Sequence, residues 1–223
     1  MNYDTQSTVV RSRESALQTN KLLRNTYVLL AMTLGFSALT AGVSMVFNLP
    51  HPGIIITLIG YFGLLFLTAK LRNSVWGIAS VFALTGFMGL TLGPIVNAYL
   101  GLPNGPQIVM QALGATGIVF LALSAYAIKS EKDFSFMGGF LFVGILVAFL
   151  AGLAAFFFEM PGLSLAVSAM FVLLMAGLIL FETSQIVNGG ETNYIMATIT
   201  LYVSIYNLFV SLLQLIGAFS GDD

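Results

Sequence analysis

Long apolar runs separated by short polar breaks dominate the chain. Each run is close to the ~20 residues that an α-helix needs to cross a ~30 Å hydrocarbon core. Lipid cannot hydrogen-bond a peptide backbone, and the runs lack the two-residue alternation of barrel strands. The pattern therefore predicts an all-α membrane protein, a bundle of seven transmembrane helices. The predicted spans lie at about residues 26–48, 53–70, 74–98, 107–128, 135–158, 163–187 and 194–217.

The composition agrees with a lipid environment. Of the 223 residues, 58% are hydrophobic and only 8% are charged, whereas soluble domains carry roughly 25% charged residues. So few charges could not cover a surface that faces water. The net charge of -1 and the lack of a basic run with interleaved aromatic residues argue against a nucleic-acid partner.

The basic residues predict the orientation of the bundle. Four of the eight lie before the first span, and the others are Lys70, Arg72, Lys129 and Lys132, in the second and fourth breaks. With seven crossings, all eight fall on one side, which the positive-inside rule makes cytoplasmic. We therefore predict a cytoplasmic tail over 1–25, a transmembrane domain over 26–217 and a short external C-terminus over 218–223. The tail is polar and rich in Ser, Thr and Gln, which predicts disorder.

The third span contains closely spaced small residues. Gly86, Gly89 and Gly93 recur at steps of three and four, and Pro94 follows directly. Small residues at this spacing let two helix backbones approach closely, and proline frees a backbone carbonyl within a helix. We interpret these four residues as helix-packing positions.

Glu182 is the one clear carboxylate within the predicted spans. It lies in the sixth span, one to two turns from the end that is predicted to be cytoplasmic. A charged side chain at the bilayer centre costs about 2.5–3.5 kcal/mol or more, so an acidic residue here needs a reason. One interpretation is a carboxylate that reaches the interface or a neighbouring hydroxyl; the other is a proton- or cation-responsive group.

The seventh span carries a polar stripe. Its members recur at steps of three and four, and they are Thr200, Ser204, Asn207, Ser211 and Gln214. Such a stripe faces other helices or a water-filled crevice rather than lipid. It predicts either interhelical hydrogen bonds or the lining of a pathway that includes Glu182, with Ser204 and Asn207 as further candidate proton- or cation-responsive positions.

The chemistry needed for catalysis is sparse. There is no cysteine, and the single histidine, His51, lies between two prolines in a break. A serine–histidine dyad, a pair of intramembrane aspartates and a metal-ligand cluster all lack their residues. We expect no enzymatic activity, no cofactor and no firm metal site.

Several motifs together carry a family resemblance, although each alone is weak. They are the Lys21–Tyr27 segment, the Gly86–Asn97 block, Phe181–Ile186, Gly189–Tyr194, Leu201-Tyr202 and Asn207–Phe209. Over nearly its whole length the chain resembles the Bax inhibitor-1 (transmembrane Bax inhibitor motif) family, most closely its proteobacterial, YccA-like branch. The resemblance implies a bacterial inner-membrane protein with six helices around a central seventh.

The resemblance also implies two activities. The YccA-like branch is associated with the membrane-anchored ATP-dependent protease FtsH, which it binds and restrains. Other members behave as pH-sensitive calcium leaks, in which two aspartates on spans 6 and 7 share a proton. The first of these positions matches Glu182, but the second matches Ser204, which cannot ionise. We therefore expect a protease modulator, with a Ca²⁺ or H⁺ leak as the alternative.

Overall fold

The computed structural model describes residues 3–220, and the side chains of residues 17–220. Over that range the chain forms seven α-helices, with one turn of 3₁₀ helix, Ser135–Met137, before the fifth. The helices are α1 (Tyr3–Val46), α2 (Ile54–Leu71), α3 (Trp76–Leu100), α4 (Gly105–Ser130), α5 (Gly138–Phe157), α6 (Pro161–Val187) and α7 (Tyr194–Ser220). Each is long and apolar enough to cross a membrane, which confirms the predicted fold class and number of spans.

The first helix begins earlier than the sequence predicts. It starts at Tyr3, and its membrane-compatible part starts at Leu17. Residues 17–25 are thus helical where we expected disorder, because no helix-ending residue separates them from the span. Leu22 and Leu23 also pack against the core, which supports the extension. Residues 1–2 and 221–223 lie outside the described residues, and the side of each terminus stays a prediction.

The seventh helix is the centre of the bundle, as predicted. It packs against α1, α3, α4 and α6. Leu201, Tyr202, Leu208 and Leu213 are fully buried on it. By contrast, α2 and α5 bury the smallest share of their spans, 6% and 17%. The polar residues of α7 therefore face protein, while α2 and α5 face mostly lipid.

The glycines of α3 lie against the backbone and side chains of α1. A Cβ at Gly93 would lie 2.8 Å from the Ala41 carbonyl oxygen, and one at Gly89 would overlap the Ser37 carbonyl oxygen. A Cβ at Gly86 would lie 2.7 Å from the Phe36 ring. The absence of side chains at these positions lets the two helices pack with their backbones in contact.

Pro94 adds a polar link to the same interface. It lies inside α3 and has no N–H to offer the carbonyl four residues earlier, at Leu90. The Ser44 hydroxyl of α1 donates to that Leu90 oxygen over 2.9 Å. A neighbouring helix thus satisfies the acceptor that the proline leaves free, as membrane helices require.

Candidate functional site

Glu182 is buried inside the bundle. It lies on α6 five residues before Val187, about 7.5 Å from the helix end at ~1.5 Å per residue. Its side chain is 6% exposed. The Oε1 atom is enclosed and has no hydrogen-bond partner among the residues that the structure describes. The sequence suggested a carboxylate that reaches the interface or bonds a neighbouring hydroxyl. The structure shows neither arrangement among the described residues.

Four helices meet around this level of the bundle. The Thr183 hydroxyl lies 3.3 Å from the Tyr27 hydroxyl of α1. The Tyr27 ring lies 6.0 Å from that of Phe120 on α4. The Thr198 hydroxyl of α7 donates to the Thr26 carbonyl oxygen over 3.3 Å. The part of α6 that carries Glu182 therefore lies at a junction with α1, α4 and α7.

Two further polar atoms at this junction lack partners. The Thr26 hydroxyl on α1 and the Ser124 hydroxyl on α4 are enclosed without a hydrogen bond in the described part of the chain. Thr26 adjoins Tyr27, and Ser124 lies one turn beyond Phe120. Buried polar groups normally find a partner or an ordered water. Three buried oxygens from three helices thus lack the partner that an ordered water could supply.

The connection between α4 and α5 is hydrogen-bonded to the end of α6, near Glu182. The Ser184 hydroxyl donates to the Lys132 carbonyl oxygen over 2.9 Å and accepts from the Phe134 N–H over 3.0 Å. The Gln185 amide donates to the Ser135 hydroxyl over 2.7 Å. The polar residues that follow Glu182 thus hold this connection against the end of the helix.

Asp133 stabilises the same connection from within. Its Oδ1 accepts from the backbone N–H of Ser135 over 2.8 Å and from the Ser135 hydroxyl. These hydrogen bonds to the charged form hold the pKa of Asp133 below its usual value. The turn therefore carries a carboxylate that stays ionised at neutral pH.

Asn193 links the start of α7 to the connection between α2 and α3. Its Oδ1 accepts from the N–H groups of Ile195 and Met196, at 3.0 and 3.1 Å. Its Nδ2 donates to the Arg72 carbonyl oxygen and to Asn73 Oδ1, at 3.1 and 2.9 Å. Sequence reasoning missed this role, although asparagine directly before an apolar run is a common N-cap signal.

The polar stripe of α7 mostly bonds to its own helix. The hydroxyls of Thr200 and Ser204 donate to the carbonyl oxygens of Met196 and Thr200, at 3.1 and 2.7 Å. The Asn207 amide donates to the Val203 carbonyl oxygen over 2.8 Å. No hydrogen bond among residues 17–220 joins Ser204 or Asn207 to Glu182, and Asn207 instead lines a separate cavity.

One member of the stripe does link two helices. Gln214 accepts from the Ser168 hydroxyl over 2.7 Å and donates to the Ser164 oxygen over 2.6 Å. Both serines belong to α6. This pair of bonds is an example of the interhelical hydrogen bonding that the stripe suggested.

Comparison with known proteins finds one matching family model and several similar proteins. Residues 19–221 match the family model described as inhibitor of apoptosis-promoting Bax1. The chain is 55% identical over 210 residues to the modulator of FtsH protease YccA of Escherichia coli K12, with 94% of this chain and 95% of the relative covered. It has the same identity and coverage to the inner membrane protein YccA of a second E. coli strain, O6:H1.

A further relative, an uncharacterised protein of Pseudomonas aeruginosa, is 55% identical over 221 residues, with 99% of this chain and 98% of the relative covered. The matches extend over all seven helices and include the motifs that first suggested the resemblance. The chain is therefore a multi-pass inner-membrane protein that belongs to the Bax inhibitor-1 family.

Proposed function

We propose that this protein binds the membrane-anchored ATP-dependent protease FtsH and restrains it. The observation that carries the proposal is the 55% identity, over nearly the full length of both chains, to a relative named modulator of FtsH protease. Similarity of this extent covers the connections as well as the spans, which supports a shared partner.

The exposure of the helices is compatible with such a partner. α2 and α5 bury the smallest share of their spans, so they offer another membrane protein the largest lateral surface. Large apolar side chains line that surface, including Phe66 on α2 and Phe140 on α5, each more than 70% exposed. Association between transmembrane helices depends on such side-chain packing, because lipid tails are as apolar as the side chains and the hydrophobic effect does not drive helices together.

Co-reconstitution tests the proposal. Purified FtsH from the same bacterium is placed in liposomes with or without this protein, and degradation of a membrane substrate is followed. We expect slower degradation at equimolar protein, together with recovery of both proteins in one detergent-extracted complex. An unrelated seven-helix protein at the same ratio is the control. Unchanged degradation without a recovered complex would refute the proposal.

A second candidate function is a cation or proton leak through the junction around Glu182. The observation that favours it is the set of three enclosed oxygens without partners, on Thr26, Ser124 and Glu182. A calcium-free calcium indicator inside protein-containing liposomes, with calcium added outside, tests it directly. Flux that depends on Glu182 would support a leak, and the protease assay on the same preparation shows whether the two activities are separate.

A further inference from the structure

A cavity of about 400 Å³ lies in the middle of the bundle between α2 and α5. α2 packs against α3, and α5 packs against α6, so the two helices flank the cavity. Their closest aromatic contact is between Phe62 and Phe149, whose rings meet edge to face with centroids 5.9 Å apart. Phe62 is 48% exposed, which places this contact at the lipid side of the cavity.

On the side of α3 and α7, the cavity is lined by three polar residues, Thr91, Tyr206 and Asn207. Asn207 lies thirteen residues from each end of α7, about 20 Å at ~1.5 Å per residue. It therefore lies at the middle of a helix that is long enough to cross the membrane. Its Nδ2 is bonded to the Val203 carbonyl oxygen, while its Oδ1 has no hydrogen-bond partner within the described range of the chain. The Tyr206 hydroxyl lies beside that of Thr91, and both residues also line the cavity.

The size of the cavity limits its occupant. A volume of 400 Å³ falls within the ~300–1,000 Å³ typical of small-molecule sites. One turn of a helix with side chains, ~10 Å wide and ~5.4 Å long, already fills about 400 Å³. A partner helix is therefore too large, and a small molecule or a single hydrocarbon chain fits.

The chemistry of the lining limits the occupant further. Among the residues whose side chains the structure describes, no Asp, Glu, Lys, Arg or His lines the cavity, so an ionised ligand would have no counter-charge there and would be expensive to bury. The Asn207 Oδ1 can accept a hydrogen bond from a ligand, and the Tyr206 hydroxyl can donate one to it. A hydroxyl group matches both, because it donates one hydrogen bond and accepts others. The polar residues of α7 lie near the middle of that helix, beyond the reach of a headgroup that stays at the interface.

We propose that this cavity binds a neutral membrane lipid that carries a hydroxyl group on an apolar chain. The hydroxyl lies between Asn207 and Tyr206, and the chain extends along the apolar lining, past the Phe62–Phe149 contact, into the bilayer. This site is separate from Glu182, which does not line the cavity. It opens between α2 and α5, which also offer the largest lateral surface, but its lining belongs to this chain alone.

Photolabelling in liposomes tests the site. The probe is dodecanol with a diazirine near its hydroxyl, and the comparison probe is dodecane with the same diazirine. We expect saturable labelling of the peptide around Asn207 by the alcohol, competed by unlabelled dodecanol. The alkane probe should give weaker labelling without saturation. Labelling by both probes that is spread over the lipid-facing residues of all spans would overturn the proposal.

Two variants address the site from different sides. Asn207→Leu removes the acceptor at similar size, and we expect its half-saturating probe concentration to rise about five- to tenfold, the loss of one buried hydrogen bond. Leu146→Trp fills the cavity from α5 and should abolish saturable labelling.

The matched control is Asn97→Leu, which changes an exposed amide outside the cavity and should label like the parent. Thermal melting of each variant verifies folding, and equal labelling of the parent and both cavity variants would refute the site.

Competition identifies the source of the hydroxyl. A long-chain isoprenoid alcohol and dioleoylglycerol present the same group on different apolar bodies. Each is added in turn as an unlabelled competitor, and the lipids that accompany the protein from native membranes are identified by mass spectrometry. Displacement by either one supports the proposal and names the class. If neither lipid displaces the probe and unlabelled dodecanol also fails to compete, the cavity does not bind a hydroxyl-bearing chain and the proposal is wrong.

Discussion

The hydroxyls of Ser37 on α1 and Tyr202 on α7 lie 2.6 Å apart in the interior of the bundle. The same Tyr202 hydroxyl donates to the Thr85 carbonyl oxygen of α3 over 3.3 Å. Ser37 is then the donor to Tyr202, since the tyrosine proton is already used. One side chain of the central helix therefore connects two of the helices that pack against it.

Replacement of Tyr202 by Phe should destabilise the bundle. The ring would remain, but the Ser37 hydroxyl and the Thr85 carbonyl would lose a partner in a site where Tyr202 is 1% exposed. We expect a loss of about 1–3 kcal/mol in the free energy of unfolding. Unfolding in mixed micelles measures it. The control is Tyr126→Phe, whose hydroxyl is exposed at the surface, and equal stability of the two variants would contradict the role of this link.

The contact of α3 with α1 predicts a contrast between two glycine substitutions. An added Cβ at Gly89 would overlap the Ser37 backbone, whereas one at Gly35 would have nothing within 4 Å. We expect Gly89→Ala to cost about 1–3 kcal/mol through overpacking. Gly35→Ala should be neutral or stabilise by about 0.5–1 kcal/mol, because alanine favours the helix. Thermal melting of both variants in one detergent compares them, and similar melting temperatures would remove Gly89 as a close-approach position.

Ser44 and Pro94 should be energetically coupled. Ser44→Ala would leave the Leu90 carbonyl without a donor, at a cost of about 1–2 kcal/mol. In a Pro94→Ala background, the backbone N–H of residue 94 can bond to Leu90 itself, so the same Ser44→Ala change should cost much less. A double-mutant cycle measures this difference. Additive effects of the two substitutions would show that Ser44 does not compensate for the proline.

The sequence predicted the fold well because lipid imposes a simple rule on it. A run of ~20 apolar residues has few alternatives to a membrane helix, and all seven runs are helices. The start of α1 differed, because hydropathy marks the edge of the bilayer and not the end of a helix. Glu182 was identifiable as an acidic residue in an apolar run, but the sequence left open whether its side chain is buried or reaches the interface, and the structure shows it buried.

Hydrogen-bond partners were harder to predict from the sequence. The spacing of Thr200, Ser204 and Asn207 places them on one face, but it cannot distinguish bonds to a neighbouring helix from bonds to the carbonyl four residues earlier. In the structure the second kind prevails at all three positions. The cavity beside Asn207 depends on five helices at once, and no local pattern in the sequence indicates it.

Reporter fusions should confirm the predicted orientation. The basic residues predict that the N-terminus is cytoplasmic and that the chain ends outside. A reporter that is active only in the periplasm should be active when it is fused after Asp223. The same reporter fused after Lys132, between α4 and α5, should be silent and serves as the control. The reverse pattern would overturn the orientation, and with it the assignment of the Glu182 end to the cytoplasm.

Of the two functions proposed for this protein, only the leak requires Glu182. A restraint on the protease depends on outer surfaces, whereas a leak depends on the enclosed carboxylate. Glu182→Gln keeps the size of the side chain but cannot ionise, so it removes the cost of burying a charge. We expect this variant to fold at least as well as the parent and to bind the protease equally. Any cation flux that changes with pH should disappear in it.

The decisive measurement is calcium flux into liposomes between pH 5 and 8. Ser204→Asp is the informative companion, because it restores a second acid at the position where leak-type relatives are expected to carry one. If position 204 faces Glu182, two like charges should interact and the pH response should broaden or shift. Ser211→Ala, a hydroxyl change elsewhere on α7, is the control. Identical flux curves for the parent, Glu182→Gln and Ser204→Asp would make Glu182 a structural residue and leave protease restraint as the remaining proposal.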